Sequence, residues 1–251
     1  MQYALTFGAI GLGGWVAAAV LPWLPLRVLS AWIALSFTLA AWGYAVAGAR
    51  VLGKRPDGEL PAWSFLIHGP FLLTGLVSMR LFHYRAKERP WDEIAPRVWL
   101  GRRPMRSDRA AYASLGAVAV VDLCAELPAS RALVGGERYL ALPVLDAEAP
   151  TVEQLARGVA WLDAEVQRGP VLVHCALGHS RSATVIAAWR MAHGEIDVDA
   201  LERGMRGVRE GVWFTPAQRR ALQLWRHCLP VTPRVPSGSE PCTVWVEDGA
   251  S

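Results

Sequence analysis

The sequence predicts an α/β domain, a mostly parallel central sheet flanked by helices, preceded by an all-α transmembrane region. Three observations carry this reading. From residue 91 onward, short apolar runs of strand type alternate with helical patterns, the arrangement that gives a parallel sheet covered by helices with its ligand at the carboxyl ends of the strands. Ahead of residue 90 stand three apolar stretches, 4–21, 26–47 and 62–82, each near the length that crosses a bilayer. Within the α/β region lies the decisive junction: residues 174–182, His-Cys-Ala-Leu-Gly-His-Ser-Arg-Ser, join the apolar run 171–173 to a helical stretch at 183–191.

In the first ninety residues, Pro22 and Pro25 break the first two apolar stretches into a tight hairpin, because proline ends a helix but tolerates its first turn. Trp23, Trp42 and Trp63 stand near segment ends, where amphipathic rings favour the membrane interface. The first stretch lacks a basic leader and runs into more membrane-type sequence, unlike a cleavable signal peptide. Residues 1–90 hold eight Lys or Arg against three acids. The basic excess of the chain therefore belongs to the membrane region and not to a nucleic-acid-binding surface. Both 50–55 and 80–89 are basic, and the positive-inside rule would place both in the cytoplasm. A third full span between them forbids that. Either the stretch 62–82, interrupted at His68-Gly69-Pro70, is re-entrant or interfacial, or there are three spans and the loop carrying Arg50 faces outward. His68 beside that break reads as a tolerated polar residue.

The second region, 91–229, is long enough for one core. Its elements are read as a first strand at 97–101, a helix at 107–115 with Ser107 as N-cap, and a buried strand at 118–123. A strand at 139–142, a helix at 151–167 capped by Thr151 and a central strand at 171–174 follow. Helices at 182–193, 198–209 and 216–227 complete it. Residues 230–251, rich in Pro, Ser and Gly, read as a flexible tail. Cys228 and Cys242 suggest no site, and four cysteines at irregular spacing show no disulfide framework.

The junction carries the chemistry. An oxyanion in a strand-to-helix turn meets several backbone N–H groups and the positive end of the helix dipole. The same field stabilises a thiolate at Cys175, while the planar fork of Arg181 can grip two phosphate oxygens.

This Cys, five residues, Arg, Ser arrangement, with His174, Gly178 and Ser182 in place, resembles the signature of the cysteine-dependent phosphatases, most closely the dual-specificity group of the protein tyrosine phosphatase superfamily. The resemblance implies a protein tyrosine phosphatase-like fold and a catalytic set of Cys175, Arg181, Asp146 and Ser182. Asp146 ends the segment 139–146, Tyr-Leu-Ala-Leu-Pro-Val-Leu-Asp, about thirty residues before the nucleophile, where the family places its general acid. Such an acid protonates the leaving oxygen and then takes a proton from the attacking water. Asp163 is the nearest rival, but it falls inside the helical pattern of Val152, Leu155, Val159, Leu162 and Val166. The amides of Ala176, Leu177, Gly178, His179, Ser180 and Arg181 would hold the phosphate oxygens, Cys175 would attack in line to form a phosphocysteine, and Ser182 would hydrogen-bond the departing sulfur. No metal and no cofactor is implied. His174 reads as a structural residue and His179 as a rim residue that contacts substrate or faces water.

Cys124, within Leu-Cys-Ala-Glu, is similar to the residue that pairs with the nucleophile under oxidation in the phosphatase and tensin homologue, so it is a candidate redox partner. The expected function is a membrane-anchored phosphomonoester phosphatase. Its partners would be the lipid bilayer and either a phospholipid head-group phosphate or a phosphoprotein; the alternative is a catalytically weak phosphate-binding adaptor or scaffold. An exposed low-pKa thiol survives best in a reducing compartment, which favours a bacterial inner membrane with the catalytic domain cytoplasmic.

Overall fold

The computed structural model describes residues 2–86, 88–116, 118–130 and 138–229; the expected tail at 230–251 and Cys242 lie outside them. Helices α1 (Gln2–Val20) and α2 (Leu24–Trp42) form the expected hairpin, with Pro25 in the first turn of α2. Their approach depends on small residues. A Cβ on Gly11 would fall 2.6 Å from Thr38 Oγ1 and one on Gly14 would fall 2.9 Å from the Ala34 Cβ, close packing of the kind small residues allow between apolar helices. A π-helical turn (Gly43–Ala47) and a 3-10 turn (Gly48–Leu52) extend α2 before the chain enters α3 (Ala62–Arg85). Among the described residues, three helical stretches, Gln2–Val20, Leu24–Leu52 and Ala62–Arg85, are long and apolar enough to cross a membrane.

The expected interruption at His68-Gly69-Pro70 is absent, and α3 runs unbroken through Pro70. Proline leaves the carbonyl four residues earlier without its N–H partner. That carbonyl belongs to Leu66, and it accepts instead from the Trp32 indole Nε1–H at 2.6 Å. Gly69 makes room for the same ring, since a Cβ there would lie 2.8 Å from Trp32 Cζ2. The Phe71 N–H donates to Ser36 Oγ at 3.1 Å.

The remaining chain builds a five-stranded mixed sheet in the order β1-β2-β5-β3-β4. β1 (Trp91–Ala95) pairs antiparallel with β2 (Val98–Arg102), whereas β2, β5 (Val171–Cys175), β3 (Ala119–Cys124) and β4 (Tyr139–Val144) are mutually parallel. β3 and β5 are buried along their whole length, as parallel strands covered on both faces must be. The first strand, β1, was not expected. Its Asp92 and Glu93 hide the pattern, and charges of this kind suit an exposed sheet edge.

The helix expected at 107–115 is a 3-10 turn, Arg106–Asp108, followed by the short α4 (Arg109–Ala113). Asp108 directs this. Its carboxylate takes both terminal nitrogens of Arg102 at 2.6 and 2.7 Å and the Met105 N–H at 2.7 Å, which fixes a tight turn. Helix α5 (Val152–Val166) begins at a capping box in which Thr151 Oγ1 accepts the Gln154 N–H and Gln154 returns a bond to the Thr151 N–H. Helix α6 (Arg181–Ala192) issues from the junction after β5 and is buried at nine positions. Gly158 lets α5 approach it, because a Cβ there would meet Val185 Cγ1 at 2.9 Å. Helices α7 (Val198–Val208) and α8 (Pro216–Cys228) close the same face.

The loop before α3 packs against this sheet region: the Ala129 N–H donates to Gly58 O at 2.8 Å, and the Lys54 side chain is wholly buried against Asp122.

Candidate active site

Strand β5 ends at Cys175 and α6 starts at Arg181, so residues 176–180 form the turn that the sequence places there. The turn needs a glycine at 178. Gly178 has φ +75°, and a Cβ on it would fall 2.2 Å from the carbonyl carbon of Gly101 on the neighbouring strand. Cys175 is 3% exposed. Its Sγ accepts from the Gly178 N–H at 3.2 Å and the Ser182 hydroxyl at 3.4 Å. Burial pushes this thiol up, but the Arg181 guanidinium, the Ser182 hydroxyl and the Ser182 and Gly178 amides outweigh it and hold the pKa below the ordinary thiol value.

Arg181 sits at the base of the turn, 1% exposed. Nη1 donates to Glu126 Oε2 and to the Val144 carbonyl, and Nη2 to Glu126 Oε1, each at 2.8 Å. The fork is bidentate. Asp146 Oδ1 stands 3.0 Å from Nη2 on the loop that follows β4, with its own side chain 64% exposed. Ala147 beside it has φ +61°, a left-handed backbone that alanine rarely adopts. The remaining guanidinium donor, Nε of Arg181, is buried and has no partner among the described residues. A buried donor left unpaired costs about 1–3 kcal/mol, so the site is set up for an oxyanion to take it.

Behind Cys175, His174 is buried, its Nδ1 3.3 Å from the Cys175 carbonyl and 3.8 Å from Asp122 Oδ1. Burial holds the imidazole below its ordinary pKa despite the Asp122 carboxylate. Asp122 also accepts from Lys54 Nζ and the Tyr139 hydroxyl, both at 2.6 Å, and burial of its carboxylate is outweighed by Lys54 and His174, which bring its pKa to about 2.

His179 neither lines an open rim nor faces water. Its Nε2 lies 2.7 Å from Glu88 Oε2, and its ring packs edge-on to Phe82 at 5.3 Å. Gly211 leaves the space for it, since a Cβ there would meet Nε2 at 2.4 Å. Arg209 completes the strap, donating to the carbonyls of Leu177, Gly178 and Arg89 at 3.0 Å and to the carboxylates of Asp92 at 2.9 Å and Glu88 at 3.1 Å. The turn is thus held from behind by a residue just after α7.

One stripe of α3 runs over these loops. Phe71 and Leu72 cluster with Ala125 and Leu145, a Cβ on Gly75 would touch the Glu126 side chain at 3.7 Å, and Met79 packs with Cys124, Leu127 and Ala176. Phe82 then reaches His179. Cys124 itself is 0% exposed, and burial, then the Glu126 carboxylate, push its thiol well above the ordinary range. Asp163 lies apart from the turn, accepting from the Trp189 indole at 2.8 Å with His193 Nε2 at 3.3 Å.

Residues 98–228, just over half of the chain, match the dual specificity phosphatase catalytic domain. The chain belongs to the dual-specificity phosphatase family. It is therefore a cysteine-dependent phosphatase, and the sheet with its flanking helices is the fold of that family. The phosphatidylglycerophosphate phosphatase PTPMT2 of Arabidopsis thaliana is 28% identical over 176 residues, which cover 68% of this chain and 76% of the plant protein. Dual specificity protein phosphatase 26 of Mus musculus is 27% identical over 199 residues, covering 77% of this chain and 90% of that one. Among solved structures, the active form of Tk-PTP superposes with a TM-score of 0.50 at 30% identity, over 55% of this chain and 97% of its own.

Sequence reasoning passed over Glu126, Lys54, Glu88 and Arg209. For Glu126 the run Leu-Cys-Ala-Glu was a partial signal; the others stand at no motif spacing.

Proposed function

We propose that this phosphatase removes the terminal phosphate of a phospholipid head group at the surface of the membrane that holds its first helices. In this reading residues 1–90 are the membrane region, 91–229 the catalytic domain and 230–251 a tail. Cys175 attacks phosphorus while the amides of residues 176–181 and the Arg181 guanidinium hold the equatorial oxygens, the electrostatic stabilisation that phosphoryl transfer chiefly requires. Asp146 protonates the leaving oxygen and later deprotonates water. The Ser182 hydroxyl, 3.4 Å from Sγ, stabilises the sulfur that departs when the phosphocysteine is hydrolysed.

The observation that carries the lipid reading is the α3 stripe from Phe71 to Phe82 packed against the loops of Glu126, Ala176 and His179. The apolar helices and the turn form one body, so the site stays beside the lipid surface, where the effective concentration of a membrane substrate is high. The similarity to a plant phosphatidylglycerophosphate phosphatase supports the same reading.

The contacts also favour one membrane arrangement. The chain before α3 meets the domain through Lys54 and Gly58, the last turns of α3 meet it through Phe82, and the chain after α3 meets it through Glu88. In our reading α1 and α2 cross the bilayer and α3 lies along the interface. Both basic segments, around Arg50 and around Arg85, then share the catalytic side, which the positive-inside rule makes cytoplasmic; for a bacterial chain this is the inner membrane.

The test is a side-by-side rate measurement with the full chain in mixed micelles, phosphatidylglycerophosphate against phosphotyrosyl and phosphothreonyl peptides. Preference for the lipid by about a hundredfold or more in kcat/KM is expected. Equal or greater rates on the peptides overturn the lipid assignment in favour of a phosphoprotein substrate, and phosphate release unaffected by Cys175→Ser overturns the phosphocysteine route.

A further inference from the structure

Lys54 lies outside the stretch that matches the phosphatase domain, in the loop between the second and third apolar helices. Its side chain is nevertheless 0% exposed. Burying an ammonium costs several kcal/mol unless its donors are all taken. Here each of the three N–H bonds has an acceptor: Asp122 Oδ2 at 2.6 Å, the Leu127 carbonyl at 2.8 Å and the Cys124 carbonyl.

The acceptors are placed where they matter to the phosphate site. The carbonyls of Cys124 and Leu127 bracket Ala125 and Glu126, and the Glu126 carboxylate holds both terminal nitrogens of Arg181. Asp122 meanwhile accepts the Cys124 N–H at 2.8 Å and stands 3.8 Å from His174 Nδ1, one residue before the nucleophile. We infer that Lys54 is a positioning residue for the phosphatase reaction: from the membrane-side loop it clamps the 124–127 turn, so that Glu126 presents Arg181 in the orientation an oxyanion needs.

The inference rests on the phosphatase reading of the site but not on the identity of the substrate. It also implies that the phosphatase fold of this chain is completed by the loop between its apolar helices.

A merely structural lysine and a positioning one are separated by a charge-balanced pair of variants in the full chain. Lys54→Met alone strands the Asp122 carboxylate. Lys54→Met with Asp122→Asn removes both charges and keeps an acceptor for the Cys124 N–H, so its melting temperature is expected to return to within about 3 °C of wild type. Orthovanadate affinity and kcat for an aryl phosphate are nonetheless expected to stay down by about tenfold or more in the pair, because the clamp on the carbonyls of 124 and 127 is not restored. Wild-type vanadate affinity and kcat in a folded pair overturn the inference. So does failure of both variants to fold, which would make Lys54 a structural residue only. Wild-type protein that binds vanadate but releases no phosphate overturns the enzymatic reading instead, and the vanadate comparison still decides the role of Lys54.

Discussion

The Glu126 carboxylate holds both terminal nitrogens of Arg181 at 2.8 Å, and both side chains are buried. Breaking a buried pair strands the remaining charge at a cost of about 3–5 kcal/mol. Glu126→Gln is therefore expected to lower the melting temperature markedly, and because Arg181 then loses the carboxylate that orients it, vanadate should raise that temperature less in the variant than in wild type. Differential scanning fluorimetry with and without vanadate measures both. Burial of Glu126 is outweighed by Arg181, which keeps its carboxyl below the usual range. Its stabilising contribution is present above the unfolded carboxyl pKa and is lost only as pH falls through the lower folded value.

Alkylation of Cys175 should follow the depressed thiol. The rate with iodoacetamide is expected to rise and level off below the pH at which an ordinary cysteine does, since only the thiolate reacts. Ser182→Ala removes one hydrogen bond to Sγ and should move the midpoint upward. The thiolate stabilises the fold fully above the unfolded thiol pKa, and that contribution disappears as pH falls through the folded one.

Asp146 is expected to matter in proportion to the need for a proton. Asp146→Asn should slow hydrolysis of an alkyl phosphate by about a hundredfold or more, within the usual range for general acid catalysis, and that of p-nitrophenyl phosphate by far less. Equal losses on the two substrates would remove the acid role. The variant also deletes the carboxylate 3.0 Å from Arg181, so KM for both substrates should fall or hold, not rise.

Gly178→Ala tests the shape of the turn. A Cβ 2.2 Å from the Gly101 carbonyl carbon, on a residue at φ +75°, forces the turn away from β2. A loss of roughly 2 kcal/mol or more in unfolding free energy is expected, together with loss of vanadate binding. Gly116→Ala is a fit comparison: its φ of +79° is similar, but nothing lies within 4 Å of the added carbon.

Cys124 is proposed as the partner of an oxidised nucleophile. A sulfenic acid on Cys175 would condense with the Cys124 thiol, releasing water and leaving a disulfide that an external dithiol reduces. Cys124→Ser should then recover less activity than wild type after peroxide treatment and reduction. Equal recovery leaves Cys124 a packing residue among Met79, Leu127 and Ala176.

What could be read from the sequence was what sequence neighbours decide. The strand, turn and helix at 171–192 announce themselves through one apolar run and five closely spaced residues, and the start of α5 through the Thr151 and Gln154 capping box. The helix expected at 107–115 failed because the side chain that shapes it, Asp108, answers to Arg102 on β2. The supports of the site were hidden for the same reason at longer range. Glu126 and Arg181 are 55 positions apart, Lys54 and Asp122 are 68, and Glu88 and Arg209 are 121. No periodicity links such pairs; only the parallel order of the sheet and the passage of α3 across its loops bring them together.

The indole of Trp32 closing on the Leu66 carbonyl has a mechanical consequence. A proline in mid-helix is a ready-made hinge, and here one donor from the adjacent helix holds that hinge straight. Remove it, as Trp32→Phe would, and that carbonyl loses its donor, so the helix is free to bend at Pro70. Stiffness of the rod that carries Met79 and Phe82 to the catalytic turn is thus supplied from outside the rod, by the Trp32 ring and the Ser36 hydroxyl on its neighbour.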